Sequence, residues 1–117
     1  MKIHELKVDK SYVELLLSGR KTFEVRKNDR DFQEGDVLIL RPWDKKKEEY
    51  IGGNTEFYYN VTYVLYGGKF GVEEGYCVMG IVPSQALNRS FFHEHSFKVD
   101  MKEISNIHKE MRKLRLL

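Results

Sequence analysis

The chain of 117 residues is 41% hydrophobic and 32% charged, which fits one folded domain and excludes a disordered tail. No apolar run approaches the roughly 18–20 residues of a membrane helix. The single cysteine, Cys77, excludes an internal disulfide and a multi-cysteine zinc motif. The start, Met1-Lys2-Ile3-His4-Glu5, carries charges where an export signal would be apolar. A cytoplasmic protein with no membrane partner is therefore expected. The net charge of +2 is unevenly spread: residues 1–30 hold eight Lys/Arg against five Asp/Glu, residues 31–80 five against nine, and residues 81–117 seven against four. Two basic ends around an acidic middle are consistent with a basic face for nucleic acid, although an ordinary solvated surface is the commoner meaning of such a charge pattern.

In chain order, Ile3, Leu6 and Val8 mark a short strand that stops at Asp9, which can cap a helix through Tyr12, Val13, Leu15, Leu16 and Leu17. Gly19 supplies the left-handed residue that ends this helix. Thr22-Phe23-Glu24-Val25-Arg26 then alternates polar and apolar, the period of a strand with one face in a core. The alternation predicts Phe23 and Val25 pointing inward and Thr22, Glu24 and Arg26 outward. Gln33-Glu34-Gly35-Asp36 reads as a turn and Val37–Leu40 as a buried strand ending near Pro42-Trp43. Lys45–Glu49 and Gly52-Gly53-Asn54 mark an exposed hairpin, and residues 56–66 a long aromatic and β-branched strand. After the glycine-rich loop at 67–71, Tyr76–Val82 forms one more strand closed by Pro83.

These elements predict an α+β fold: a small mixed, mostly antiparallel β-barrel of about five strands, with a helix after the first strand plugging one end. Residues 1–82 make up that barrel domain. Residues 83–117 form an extension in which Met101, Ile104, Ile107, Met111 and Leu114 recur at helical spacing after a cap at Asp100. This extra C-terminal helix is expected to pack on the barrel or on a second copy, a route to a homodimer.

The most informative stretch is Gly19-Arg20-Lys21-Thr22-Phe23-Glu24-Val25-Arg26, which places Lys21, Glu24 and Arg26 within six positions at the start of one strand. Taken alone it is either a surface ion-pair ladder of little energetic weight or one wall of a binding cleft. The stretch resembles the G-x-K-T-x-E-x-R signature of the ASCH family, a branch of the PUA-like β-barrel superfamily, at Gly19, Lys21, Thr22, Glu24 and Arg26. Gly35-Asp36-Val37-Leu38 is similar to that family's turn into the next strand. His4-x-Leu6-Lys7, Phe23–Arg30, Trp43-Asp44 and Gly75-Tyr76 are similar to a bacterial and phage subgroup of it. The resemblance covers roughly residues 1–82 and implies a PUA-like barrel with a cleft lined by the motif, suited to RNA or a modified nucleotide.

In such a cleft Lys21, Arg26, Lys27 and Arg30 offer donors to phosphate oxygens, with Thr22 beside them. Glu24 can accept from an exocyclic amine, as carboxylates do with cytosine N4. Flanked by two cations, it suits a fixed acceptor rather than a general acid. Trp43, Tyr63, Tyr66 and Tyr76 are candidate stacking surfaces, Trp43 and Tyr76 first because they sit at loop edges. His4, on the first strand, either faces the cleft or lies at an exposed sheet edge.

The resemblance also implies an enzymatic alternative, because small ASCH proteins include amidohydrolases that deacylate N4-acetylcytidine with a Lys, a Thr three residues later and a downstream Glu. Lys21 matches the first, Glu24 stands in the Thr position, and Glu73 and Glu74 are candidates for the acid. A carboxylate cannot replace a Thr nucleophile without changing the chemistry, which favours a binding module over hydrolysis. A third reading is a protein-interaction adaptor using the C-terminal helix.

No cofactor is expected. His93-x-His95 lacks a partner carboxylate for a metal, and Gly67-Gly68-Lys69-Phe70-Gly71 lacks the phosphate-loop pattern. Cys77, inside an apolar strand, reads as a buried and inert thiol.

Overall fold

The computed structural model describes residues 1–84 and Leu87. The helix expected from Asp100 onward, the homodimer it would form and the His93/His95 pair lie outside the described residues. The elements are β1 (Ile3–Asp9), α1 (Lys10–Leu17), β2 (Phe23–Lys27), β3 (Val37–Asp44), β4 (Glu49–Tyr50), β5 (Phe57–Tyr66) and β6 (Tyr76–Pro83). One sheet holds all six strands in the order β1-β3-β5-β6-β2, with the short β4 added to β3. Only the β1/β3 pair is parallel; the remaining pairs are antiparallel.

Alternation builds this sheet. His4, Leu6 and Val8 of β1 turn inward while Ile3, Glu5 and Lys7 turn outward. In β3, Leu38 and Leu40 are fully buried, and the strand runs on through Pro42 and Trp43 to Asp44, farther than the sequence suggested. Val13 and Leu16 of α1 join them, together with Tyr59, Met79 and Cys77, in a single core. The helix packs on β1 and β3, and Gly19 ends it at φ +79°, with its N–H donating to Leu16 O at 3.2 Å. Asp9 occupies the cap position, but its carboxylate accepts from Ser11 Oγ instead of capping the helix backbone.

The sheet path starts at β1 and ends at β2, and among the described residues no ladder joins those two strands. The architecture is a mostly β half-barrel of mixed strands with one short helix, in keeping with the small β-rich fold expected, and with a seam between β1 and β2. A correction concerns β2. Its period is as expected, but its faces are exchanged: Glu24 is buried, while Phe23 and Val25 are 45% and 53% exposed. The buried carboxylate is tolerated because Lys21 and Arg26 accompany it inward with opposite charge. No helix among the described residues is long and apolar enough to cross a membrane.

Candidate functional site

The seam is where the motif residues converge. After Gly19 the chain folds back on the helix end, with Lys21 N–H donating to Leu15 O at 3.0 Å, and then enters β2. Glu24 Oε1 accepts from Lys21 Nζ at 2.7 Å and Oε2 accepts from Arg26 Nε at 2.9 Å. Lys21 Nζ also donates to Phe23 O at 2.7 Å, so the ammonium is held at two points. It lies 5.0 Å and 5.2 Å from the ring centres of Tyr12 and Phe23, within cation–π range of both. Beneath the trio, burial and then the negative charge of Glu24 push the Tyr59 phenol above its ordinary value.

A cavity of about 390 Å³ opens here, lined by Lys7, Tyr12, Lys21, Phe23, Glu24 and Arg26 among others. Its lining is amphipathic, combining the aromatic rings of Tyr12 and Phe23 with the carboxylates of Glu24 and Asp9. A second cavity, of about 450 Å³, is lined by Glu5, Lys7, Arg26, Arg30 and Tyr50. Lys7 and Arg26 wall both cavities. Two arginines also span the seam: Arg26 Nη2 donates to Lys7 O at 2.9 Å, and Arg30 Nη1 to Glu5 O at 2.8 Å.

The other expected residues lie elsewhere. His4 lines neither cavity; it is buried, with its Nε2 and Asp36 Oδ2 2.9 Å apart and its ring edge-on to Phe32. Thr22 is exposed and engaged through its carbonyl, which accepts from Ile81 N–H at 3.0 Å. Lys27 pairs with Tyr76 in the ladder and falls on the opposite face of β2 from Glu24 and Arg26. Tyr76 is partly exposed at the start of β6, and Tyr66 donates its hydroxyl to Phe32 O at 2.8 Å; neither lines a cavity. Tyr63 lies exposed on β5, and Glu73 and Glu74 sit exposed in the loop before β6. Trp43 carries the Lys7 ammonium 3.9 Å above its ring and meets Tyr50 edge-on at 4.9 Å, so it backs the second cavity without lining it. Cys77 is buried, and that burial pushes its thiol pKa up, as suits an inert thiol. Among the described residues no group of three or more His, Cys, Asp or Glu converges as a metal site.

Lys7, Tyr12, Phe23 and Tyr50 are among the lining residues that sequence reasoning did not place at the site. For Lys7 a signal existed, since it shares the outward period of β1 with Glu5. Tyr12 sits on the first turn of α1, and Tyr50 belongs to a two-residue strand, too short to leave a pattern.

Tyr12 of the helix, the motif strand and the seam thus line adjoining cavities that share Lys7 and Arg26. A 42-residue stretch is 50% identical to the "Uncharacterized 12.9 kDa protein in GpA 3'region" of Escherichia phage P2. That match takes in 36% of this chain and 38% of the relative, so the chain spans well under half of the curated protein it matches. A family model covers far more, matching residues 3–81 from the first strand to the last. On that extent of match, the chain belongs to the family described as Domain of unknown function (DUF3850).

Proposed function

We propose that this protein is an ASCH-like, PUA-like binding module whose seam receives a nucleotide, free or within single-stranded RNA, and seats a base with an exocyclic amine against Glu24. The observation that carries the reading is the state of Glu24. Its carboxylate is only 4% exposed yet forms part of the wall of an open cavity, and one cation fixes each oxygen. A carboxylate oxygen has a second lone pair, so each can still accept one more donor. Cytosine N4 is such a donor, and Tyr12 and Phe23 offer aromatic surface for the ring.

Binding is favoured over amide hydrolysis because neither cavity is lined by a Ser or Thr hydroxyl, and Lys21 is committed to two acceptors. Calorimetric titration with cytidine and uridine tests the reading. Cytidine should bind, and uridine, which presents a carbonyl in place of the amine, should bind at least about tenfold more weakly. Glu24→Gln should abolish most of that preference while leaving the fold intact. Equal affinity for the two nucleosides, or an unchanged preference in Glu24→Gln, would overturn it. Release of acetate from N4-acetylcytidine, lost in Lys21→Ala, would establish the hydrolase instead.

A further inference from the structure

The second cavity is chemically unlike the first. Its cations are Lys7, Arg26 and Arg30, and its one acid, Glu5, is already paired: Arg41 Nη1 donates to Glu5 Oε1 at 2.9 Å. The cations are also held in place. Arg26 spends Nε on Glu24 and Nη2 on Lys7 O, and Arg30 spends Nη1 on Glu5 O. Among the described residues no further bond engages Arg26 Nη1 or Arg30 Nε and Nη2. The Lys7 ammonium rests over Trp43, and Arg41 covers Tyr50 with its guanidinium carbon 3.7 Å from the ring centre. Anchored guanidinium groups with donors left over lose little side-chain entropy when an anion arrives.

We infer that this cavity is a phosphate subsite, in which Arg30, Arg26 and Lys7 hold the phosphate of a nucleotide whose base lies in the neighbouring cavity. The inference rests on the base-recognition reading for the ligand's identity, but its own chemistry is the anion. A phosphate monoester presents three terminal oxygens to three cations, and guanidinium forks match that geometry better than a lone ammonium would. Arg26 lies in the wall between the cavities, with Nε on Glu24, and so couples the two ends of one ligand. The nucleotide is thereby oriented, with its base toward Glu24 and Tyr12 and its phosphate toward Arg30 and Tyr50.

The test uses inorganic phosphate and cytidine 5′-monophosphate, read by NMR and calorimetry on the full chain. Inorganic phosphate should shift the signals of Lys7, Arg26 and Arg30 saturably, and Arg30→Ala should remove the response. Cytidine 5′-monophosphate should bind at least about tenfold more tightly than cytidine, with a steep loss on adding salt, and the ratio should fall to about one in Arg30→Ala. If Arg30→Ala disturbs the fold, Lys7→Ala on the exposed face of β1 reads the same ratio. Signals unmoved by phosphate, or no advantage of the nucleotide over the nucleoside, would overturn the subsite even if cytidine binds. Phosphate held without cytidine binding would sink the base-recognition reading and leave the subsite standing. Single-stranded hexacytidylate separates the sources: affinity equal to that of the mononucleotide identifies a free nucleotide, and a gain of about tenfold or more identifies a strand, the subsite being upheld by either.

Discussion

Asp36 is 2% exposed and accepts three hydrogen bonds, from Lys2 N–H at 3.0 Å, Gln33 N–H at 2.9 Å and His4 Nε2 at 2.9 Å. Burial alone would raise its pKa; the three bonds together outweigh it and leave the carboxyl below its ordinary value. Asp44 behaves alike, with the Lys10 ammonium at 2.9 Å as the leading cause against burial. A carboxyl lowered in the folded state contributes stability above its unfolded pKa of about 3.9 and loses it as pH falls through the folded value. The melting temperature should therefore hold through mild acid and drop below about pH 4. Asp36→Asn should cost about 1–3 kcal/mol at pH 7 and show a shallower acid decline. Thermal melts at pH 7 and pH 3 check this, and an acid decline as steep in the variant as in the parent would contradict it. The turn ending at Asp36 was legible in sequence, but its role was not, because two of its donors lie 34 and 32 residues away. The same distance hid His4, whose partner no local pattern names.

At the scale of elements, periodicity gave nearly every strand and the helix, since a period is a local property. It could not say which face of β2 meets the interior. Alternation is symmetric, and hydrophobicity favours Phe23 and Val25; only the three-dimensional pairing of Lys21, Glu24 and Arg26 reverses the choice. The loop between β5 and β6 shows the converse case, in which backbone approach decides identity. Gly67 donates its N–H to Tyr76 O at 2.8 Å, and a Cβ built on it would lie 2.0 Å from Glu73 O. The obstacle is backbone and cannot swing aside as a side chain would. Gly67→Ala should therefore destabilise by about 1–3 kcal/mol or more. Gly68→Ala meets open space and is strained only by its φ of +95°, so its cost, about 1–2 kcal/mol, should be the smaller. Urea midpoints of the two variants make the comparison, and a larger loss at Gly68 would refute it.

At the scale of the molecule, the half-barrel leaves two strand edges facing one another, and the site lies between them. A closed barrel would have no room there, so the open seam and the candidate cleft are a single feature. The side of β1 that faces the seam can be read from its hydrogen bonds. Val37 N–H donates to Lys2 O at 2.9 Å, which sets the even residues of β1 toward β3. Glu5 and Lys7 turn their carbonyls to Arg30 and Arg26, which sets the odd residues toward the seam. The N–H of a strand residue points to the same side as its C=O, so the Glu5 and Lys7 amides face a gap where no strand pairs them among the described residues. Hydrogen exchange should alternate along β1: slow at Leu6 and Val8, fast at Glu5 and Lys7. Uniform protection along β1 would mean that the seam is closed in solution. Because the two arginines brace the seam only through side chains, Arg26→Ala should raise exchange at Glu5 and Lys7 no further, yet speed it at the Leu6 and Val8 amides as β1 loses a lateral contact. Slowed exchange at Glu5 or Lys7 in that variant would instead mean that Arg26 wedges the edges apart.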